Sequence, residues 1–277
     1  MILLVNAAVA LDADFWTRFM PSSCRNTLRV LALVLVFSGC ERAIAAPKIV
    51  DAEPPAVRED FSSYASTAEF LASAHGIYSP SEDFNTHRMV IDRSVSYRGS
   101  TQSLRYDYPD GDEQRGNYTV SREIEFENGT SEVWLRAVVR FSPDFTISSA
   151  EGGGNSFKFL HARWSSGRWQ VQFEFDEIRF GPNLAAPNSS VATPSVSSLF
   201  DGEWHEFQWH IRTDGRGRPG LMELWIDGAY QGRSRSFTSQ TDAFRGLSLS
   251  RNHNQLPDRP IRMWWGLVEV YYSDPGW

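Results

Sequence analysis

A two-residue rhythm of apolar side chains returns along most of this chain, and it limits the fold more than any other feature. In 132–141 the odd positions Val133, Leu135, Ala137, Val139 and Phe141 are all apolar. Glu132, Trp134, Arg136, Val138 and Arg140 stand between them. A period of 3.6 would scatter the first set around a helix, whereas a strand puts it on one face. In 168–175, Trp169, Val171, Phe173 and Phe175 alternate with Arg168, Gln170, Gln172 and Glu174. In 204–212, Phe207, Trp209 and Ile211 alternate with Trp204, Glu206, Gln208, His210 and Arg212. In 221–227, Leu224 and Ile226 oppose Glu223, Trp225 and Asp227. This is the pattern of antiparallel strands with one wetted face.

Further strands are expected at 89–93, 103–108, 118–126, 156–164, 247–250 and 261–272, with turn residues between them. The only helical promise is at 66–74. With 10 Trp, 18 Phe, 14 Pro and 20 Gly, the chain is suited to pleated surfaces and tight turns. The expected fold is all-β, a sandwich or jelly roll of two antiparallel sheets. Long loops rich in Gly, Ser, Pro and Asn, at 148–155 and 181–198, are placed to rim a binding face.

The first forty residues read as an address. An apolar run, Val30 to Phe37, follows Arg25 and Arg29 and ends in Ser38-Gly39-Cys40. That is the pattern of a secretory signal, too short to span a bilayer. Residues 37–40 resemble the lipobox of bacterial lipoproteins, which implies a lipid on Cys40. A cut after Ala43-Ile44-Ala45 is the alternative. Residues 1–19 carry Asp12 and Asp14, which do not suit a signal, and read as an extension ahead of a start at Met20. The expected organisation is a signal segment at 1–46, a linker at 47–58 and one β domain at 59–277. The localisation that follows is export, to the periplasm, the outer membrane or the exterior. Cys24 and Cys40 are the only cysteines, so nothing after residue 40 offers a disulfide or a cysteine metal site.

Net charge −7 disfavours a broad nucleic-acid footprint, which needs a basic face. The residues expected on the wetted faces are instead Arg136, Arg140, Gln170, Gln172, Glu174, Gln208, His210, Trp134 and Trp225. Planar amides, guanidinium groups and aromatic platforms match the hydroxyls and the apolar ring face of a sugar. Arginine also pairs bidentately with the carboxylate of a uronic acid. The competing reading is a solvated face laced with ion pairs.

Several segments resemble the concanavalin A-like lectin/glucanase superfamily. Asp201 to Phe207 (DGEWHEF) is similar to its DG-x-WH strand, and Leu224 to Gly228 (LWIDG) to its L-x-[VI]-DG hairpin. Ser96 to Tyr108 is similar to its early strand, with Gly99 ahead of Ser103-Leu104-Arg105. Trp134 to Phe145, with Gly152–Gly154 and Lys158, resembles the jelly-roll alginate and glucuronan lyases. The resemblance covers roughly 61–277 and implies a concanavalin A-like β-sandwich acting on polysaccharide. A glycosidase of this type would carry E-x-D-x-E. Here Glu174 and Asp176 are followed by Ile178, so the third carboxylate is missing.

A β-eliminating lyase must neutralise the substrate carboxylate, remove the neighbouring proton and protonate the leaving oxygen. Arg136 and Gln172 are candidates for the first task. His210, His161 and Lys158 are candidates for the second, and Tyr271 or Tyr272 for the third. The expected partner is an anionic polysaccharide. The alternatives are a non-catalytic carbohydrate-binding module and a surface domain without a glycan ligand. No cofactor is expected, apart from clustered oxygens at 107–113 that suit a structural calcium.

Overall fold

The computed structural model describes residues 53–73, 78–79, 88–108, 122–126, 130–147, 156–164, 168–174, 176–182, 190–192, 194–213, 220–236, 243–253 and 260–277. The signal segment and the loop at 148–155 lie outside them, as do residues 183–189 and 193 of the loop at 181–198. Strands are numbered β1 to β15 along the chain. Sheet A has the spatial order β13 (Ala229–Ser236), β12 (Gly220–Ile226), β11 (Trp204–Arg212), β6 (Glu132–Phe141), β15 (Ile261–Tyr271), β4 (Ser103–Tyr108) and β3 (Met89–Asp92). β1 (Val57–Glu59) pairs with the far end of β15, so the expected linker ends as a sheet strand. Sheet B runs β10 (Ser190–Val191), β9 (Glu177–Pro182), β8 (Arg168–Glu174), β7 (Ser156–Trp164), β14 (Phe244–His253), β5 (Arg122–Glu125) and β2 (Tyr78–Ser79). Every pairing is antiparallel. One short helix, α1 (Thr67–Ala72), is capped by the Ser66 hydroxyl, which accepts from the Glu69 amide. Glu69 reaches back to the Ala65 amide at 2.7 Å, which holds the chain ahead of the helix start.

The core is the interleaf between the sheets, filled by the apolar sets read from the alternation. Phe159 of β7 stacks on Trp265 of β15 with ring centroids 5.2 Å apart and meets Phe207 of β11 at 4.8 Å. Phe173 of β8 packs against Phe141 of β6 at 5.6 Å. Each such ring contributes roughly 1.5–3 kcal/mol of burial.

The Asp227-Gly228 pair turns β12 into β13 with φ of 51° and 76°. Both residues are left-handed, as a two-residue hairpin of this twist requires, and Asp-Gly supplies that at low cost. The turn is tied down by His205. Its Nδ1 lies 2.8 Å from Asp227 Oδ2 and its Nε2 3.1 Å from Asp201 Oδ1. Burial opposes the imidazolium, but hydrogen bonds to both carboxylates outweigh it and raise the His205 pKa. In Asp227, burial is likewise outweighed, by His205 and the Glu206 amide, and its pKa is lowered.

Candidate functional site

The residues expected to share one groove fall on two sheets. Arg136, His210, Arg140, Gln208, Trp134, Trp225 and Tyr271 belong to sheet A. Lys158, His161, Gln170, Gln172 and Glu174 belong to sheet B. The expected convergence of Arg136, Gln172 and His210 is therefore corrected. Alternation tells in from out within one strand, and it is silent on which sheet the strand joins.

On sheet A the polar side chains engage one another. Arg136 donates through Nη2 to Glu206 at 2.6 Å and through Nη1 to Glu269 at 3.1 Å. Glu269, almost fully buried, also receives Arg58 from β1 and the Tyr271 hydroxyl at 3.1 Å. Gln208 Nε2 donates to the other oxygen of Glu206 at 2.8 Å. Burial works against the Arg136 charge, yet Glu206 and Glu269 hold its pKa above the usual guanidinium range. Burial and the Glu269 charge push Tyr271 up to about 12. A guanidinium held by two carboxylates is not available to a substrate carboxylate, and a phenol raised this far is a poor proton donor near neutral pH.

His210 is similarly engaged. Its Nδ1 faces Glu223 at 3.0 Å and its Nε2 faces Glu132 at 2.9 Å, while its ring stacks on Trp134 at 4.5 Å. Neither nitrogen is left for a substrate proton. Arg140 lies over the Trp264 ring at 5.5 Å, and Trp225 packs on Tyr230 at 5.2 Å. Tyr272 follows the last strand and meets Phe126 edge-on at 6.4 Å, away from both groups.

On sheet B the polar face is built differently. Ser248 of β14 pairs with His161 of β7, and His161 pairs with Gln170 of β8. One step along, Lys158 pairs with Gln172, and Gln172 with Arg179 of β9. Directly paired residues share a face, so these two rows line the side of sheet B away from the core. A β-bulge makes this possible. The β7–β8 register shifts between Lys158 and Leu160, and Phe159 and Leu160 are both buried apolar residues. The extra residue keeps Lys158 and His161 on the polar face although they are three apart. Their parity is therefore hidden from a period-two reading.

His161 and Ser248 are fully buried, and Gln170 and Gln172 are nearly so. The Gln170 Oε1 atom is buried and has no hydrogen-bond partner. An orphaned amide oxygen of this kind costs about 1–3 kcal/mol, and such costs cluster where function holds a group in place. Glu174, at the end of the row, accepts from Arg179 at 3.2 Å, and Arg179 also reaches Glu177 at 2.7 Å. Ser248 and Arg179 were not among the expected site residues. Ser248 was legible, since Leu247 and Leu249 flank it as core positions. Arg179 was legible in the same way, since Ile178 and Phe180 flank it as core positions, but its segment was not among the expected strands.

Among the described residues no group of His, Cys, Asp and Glu is placed to hold a metal ion. Asp107, the first of the clustered oxygens, accepts from Arg105 at 3.0 Å and lies 3.3 Å from Arg262. The segment 109–113 lies outside the described residues.

No family model matches the chain, and no curated protein matches it. Among solved structures the fold is similar to that of the endo-β-1,4-glucuronan lyase from the fungus Trichoderma reesei. The TM-score is 0.56 at 13% identity, covering 80% of this chain and 99% of that one. It is also similar to Cip1, a cellulose-induced protein, with TM-score 0.52 at 13% identity, covering 78% and 97%. These likenesses establish the jelly-roll sandwich expected from the sequence.

Proposed function

We propose that this chain is an exported jelly-roll protein that acts on a uronate-containing polysaccharide through the polar face of sheet B. The observation that carries the reading is the pair of rows through His161–Gln170 and Lys158–Gln172, with an amide oxygen left unmet. The sandwich it shares with a glucuronan lyase supports the reading. In this scheme the Gln170 and Gln172 side-chain N–H groups donate to the substrate carboxylate, and the unmet Gln170 oxygen accepts from a neighbouring hydroxyl. His161 accepts the proton from the carbon beside it. The electron pair of that C–H bond forms the new double bond as the glycosidic C–O bond breaks. Lys158 gives a proton to the departing oxygen. Export follows from the signal-like segment ahead of residue 46, with a lipid on Cys40 as its anchor.

A binding-only use of the same face is the second reading: His161 is fully buried, which argues against proton transfer from a polymer to it, whereas Lys158 and Arg179 in the same rows are partly exposed. Incubation with glucuronan, alginate and glycosaminoglycans, followed at the unsaturated-uronate absorbance band, separates the two. Catalysis gives a rise with at least one polymer that His161→Ala abolishes. No rise, together with saturable binding of uronate oligosaccharides, assigns the face to recognition alone. Neither turnover nor binding on any anionic glycan overturns the proposal.

A further inference from the structure

A cavity lies on the other side of the sandwich from the His161 rows, where β11 and the β12–β13 hairpin end. It encloses about 490 Å³ on the outer face of sheet A, within the roughly 300–1,000 Å³ range of small-molecule sites. Its apolar wall is the edge-to-face pair of Trp204 and Tyr97, with centroids 5.5 Å apart. Arg98 lies over the Tyr97 ring at 5.7 Å. The pair sits directly on the backbone of Gly266, where an added Cβ would come within 2.5 Å of the Tyr97 Cβ and 2.8 Å of the Trp204 ring. The platform is thus fixed from below, while Trp204 stays only half-buried. Arg98, Glu203, Glu206 and Asp227 supply the charged lining.

The charges in this lining are largely met. Glu206 is paired with Arg136, and Asp227 with His205. The exposed Glu203 side chain makes no hydrogen bond or ion pair among the described residues. What faces the cavity is an aromatic plate with carboxylate oxygens around it. Those oxygens accept hydrogen bonds from hydroxyls, and such charge-assisted bonds are strong. With Glu206 and Asp227 paired, the remaining charges in the lining are Glu203 and Arg98, of opposite sign, so the cavity carries no net positive field to draw an anionic sugar. We propose that this cavity binds a neutral pyranose unit, with Trp204 as the stacking platform and Glu203 as the hydroxyl acceptor. The site is on the opposite sheet from the His161 rows and rests on different residues, so it stands independently of the proposed function.

The test is calorimetric titration of the full chain with cello-, manno-, galacto- and N-acetylglucosamine oligosaccharides, with uronate oligosaccharides as competitors. At least one neutral series is expected to bind, with no competition from the uronates. Trp204→Ala is expected to weaken binding tenfold or more, with near-UV circular dichroism confirming the fold. Glu203→Ala, at an exposed position, is expected to weaken it at least threefold and answers the question should Trp204→Ala fail to fold. Trp277→Ala, an exposed aromatic elsewhere, leaves affinity unchanged. The proposal is overturned if no neutral series binds. Binding that is unmoved by Glu203→Ala and by a folded Trp204→Ala, or that uronates displace, overturns it equally.

Discussion

The two outer faces of this sandwich use similar residue types to opposite ends. On sheet A the Arg, Glu, His and Gln side chains close on one another: Arg136 between Glu206 and Glu269, His210 between Glu223 and Glu132. On sheet B the corresponding rows hold His161, Gln170, Gln172 and Ser248, all buried, beside Lys158 and Arg179, and the Gln170 oxygen is unmet. On sheet A the Nε donors of Arg136, Arg140 and Arg212 are unmet, but the same guanidinium groups are held through their other atoms by carboxylates or by the Trp264 ring, so that face is held together mainly by charge pairing. A face that keeps an unmet acceptor at a cost in stability is arranged for something other than folding. Substitutions on sheet A should therefore cost stability, and substitutions on sheet B should cost function.

The largest effect is expected at Arg136. Arg136→Met leaves the buried Glu269 with Arg58 and the Tyr271 hydroxyl as its remaining partners, and a broken buried pair costs about 3–5 kcal/mol. Because Arg58 remains, the expected loss is near 3 kcal/mol, read from urea unfolding. A change below about 1 kcal/mol would remove the contrast between the faces.

Next in size is the His205 clamp. His205→Asn should lose on the order of 1.5–3 kcal/mol, since both hydrogen bonds go to charged groups. The folded His205 pKa is raised, so its contribution is full below the ordinary imidazole value near 6.5 and fades as pH climbs through the folded value. The folded Asp201 and Asp227 values are lowered, so their contribution is full above about 3.8 and fades as pH falls. Thermal unfolding of wild type and variant should differ most between these limits and converge on either side. A difference that grows steadily toward alkaline pH contradicts this assignment.

A smaller effect, of favourable sign, sharpens the comparison on sheet B. Gln170→Leu removes the orphaned oxygen and should hold or raise stability by about 1 kcal/mol while uronate binding is lost. A loss above about 2 kcal/mol would instead mark Gln170 as structural. Smallest of all is Arg179→Ala. Its partners Glu174 and Glu177 are 30% and 50% exposed, so the change should stay within about 0.5 kcal/mol.

Much of this was legible in the sequence, and the limits are physical. The strands at 103–108, 132–141, 156–164 and 204–212 agree with the expected bounds, the alternation running through all but 156–164, where the bulge at Phe159 and Leu160 interrupts it. The Asp227-Gly228 hairpin was legible from its turn chemistry. The short β1 and β10 were not, because they are too short to show alternation; the strand at 177–182 was missed although Ile178 and Phe180 alternate with Glu177 and Arg179. The site was half legible. Lys158, His161, Gln170, Gln172 and Glu174 were all singled out, but so were Arg136 and His210. Each strand reports its own inward face, and only long-range pairing decides that β6 and β11 lie in one sheet and β7 and β8 in the other.

The central claim is that the polar face of sheet B, and not that of sheet A, meets the acidic glycan. Amide chemical-shift mapping of the full chain, titrated with glucuronan and alginate oligosaccharides, tests it directly. The account predicts perturbations concentrated in 156–164, 168–174 and 177–182. Perturbations confined to 132–141 and 204–212, or none with either oligosaccharide, would contradict it.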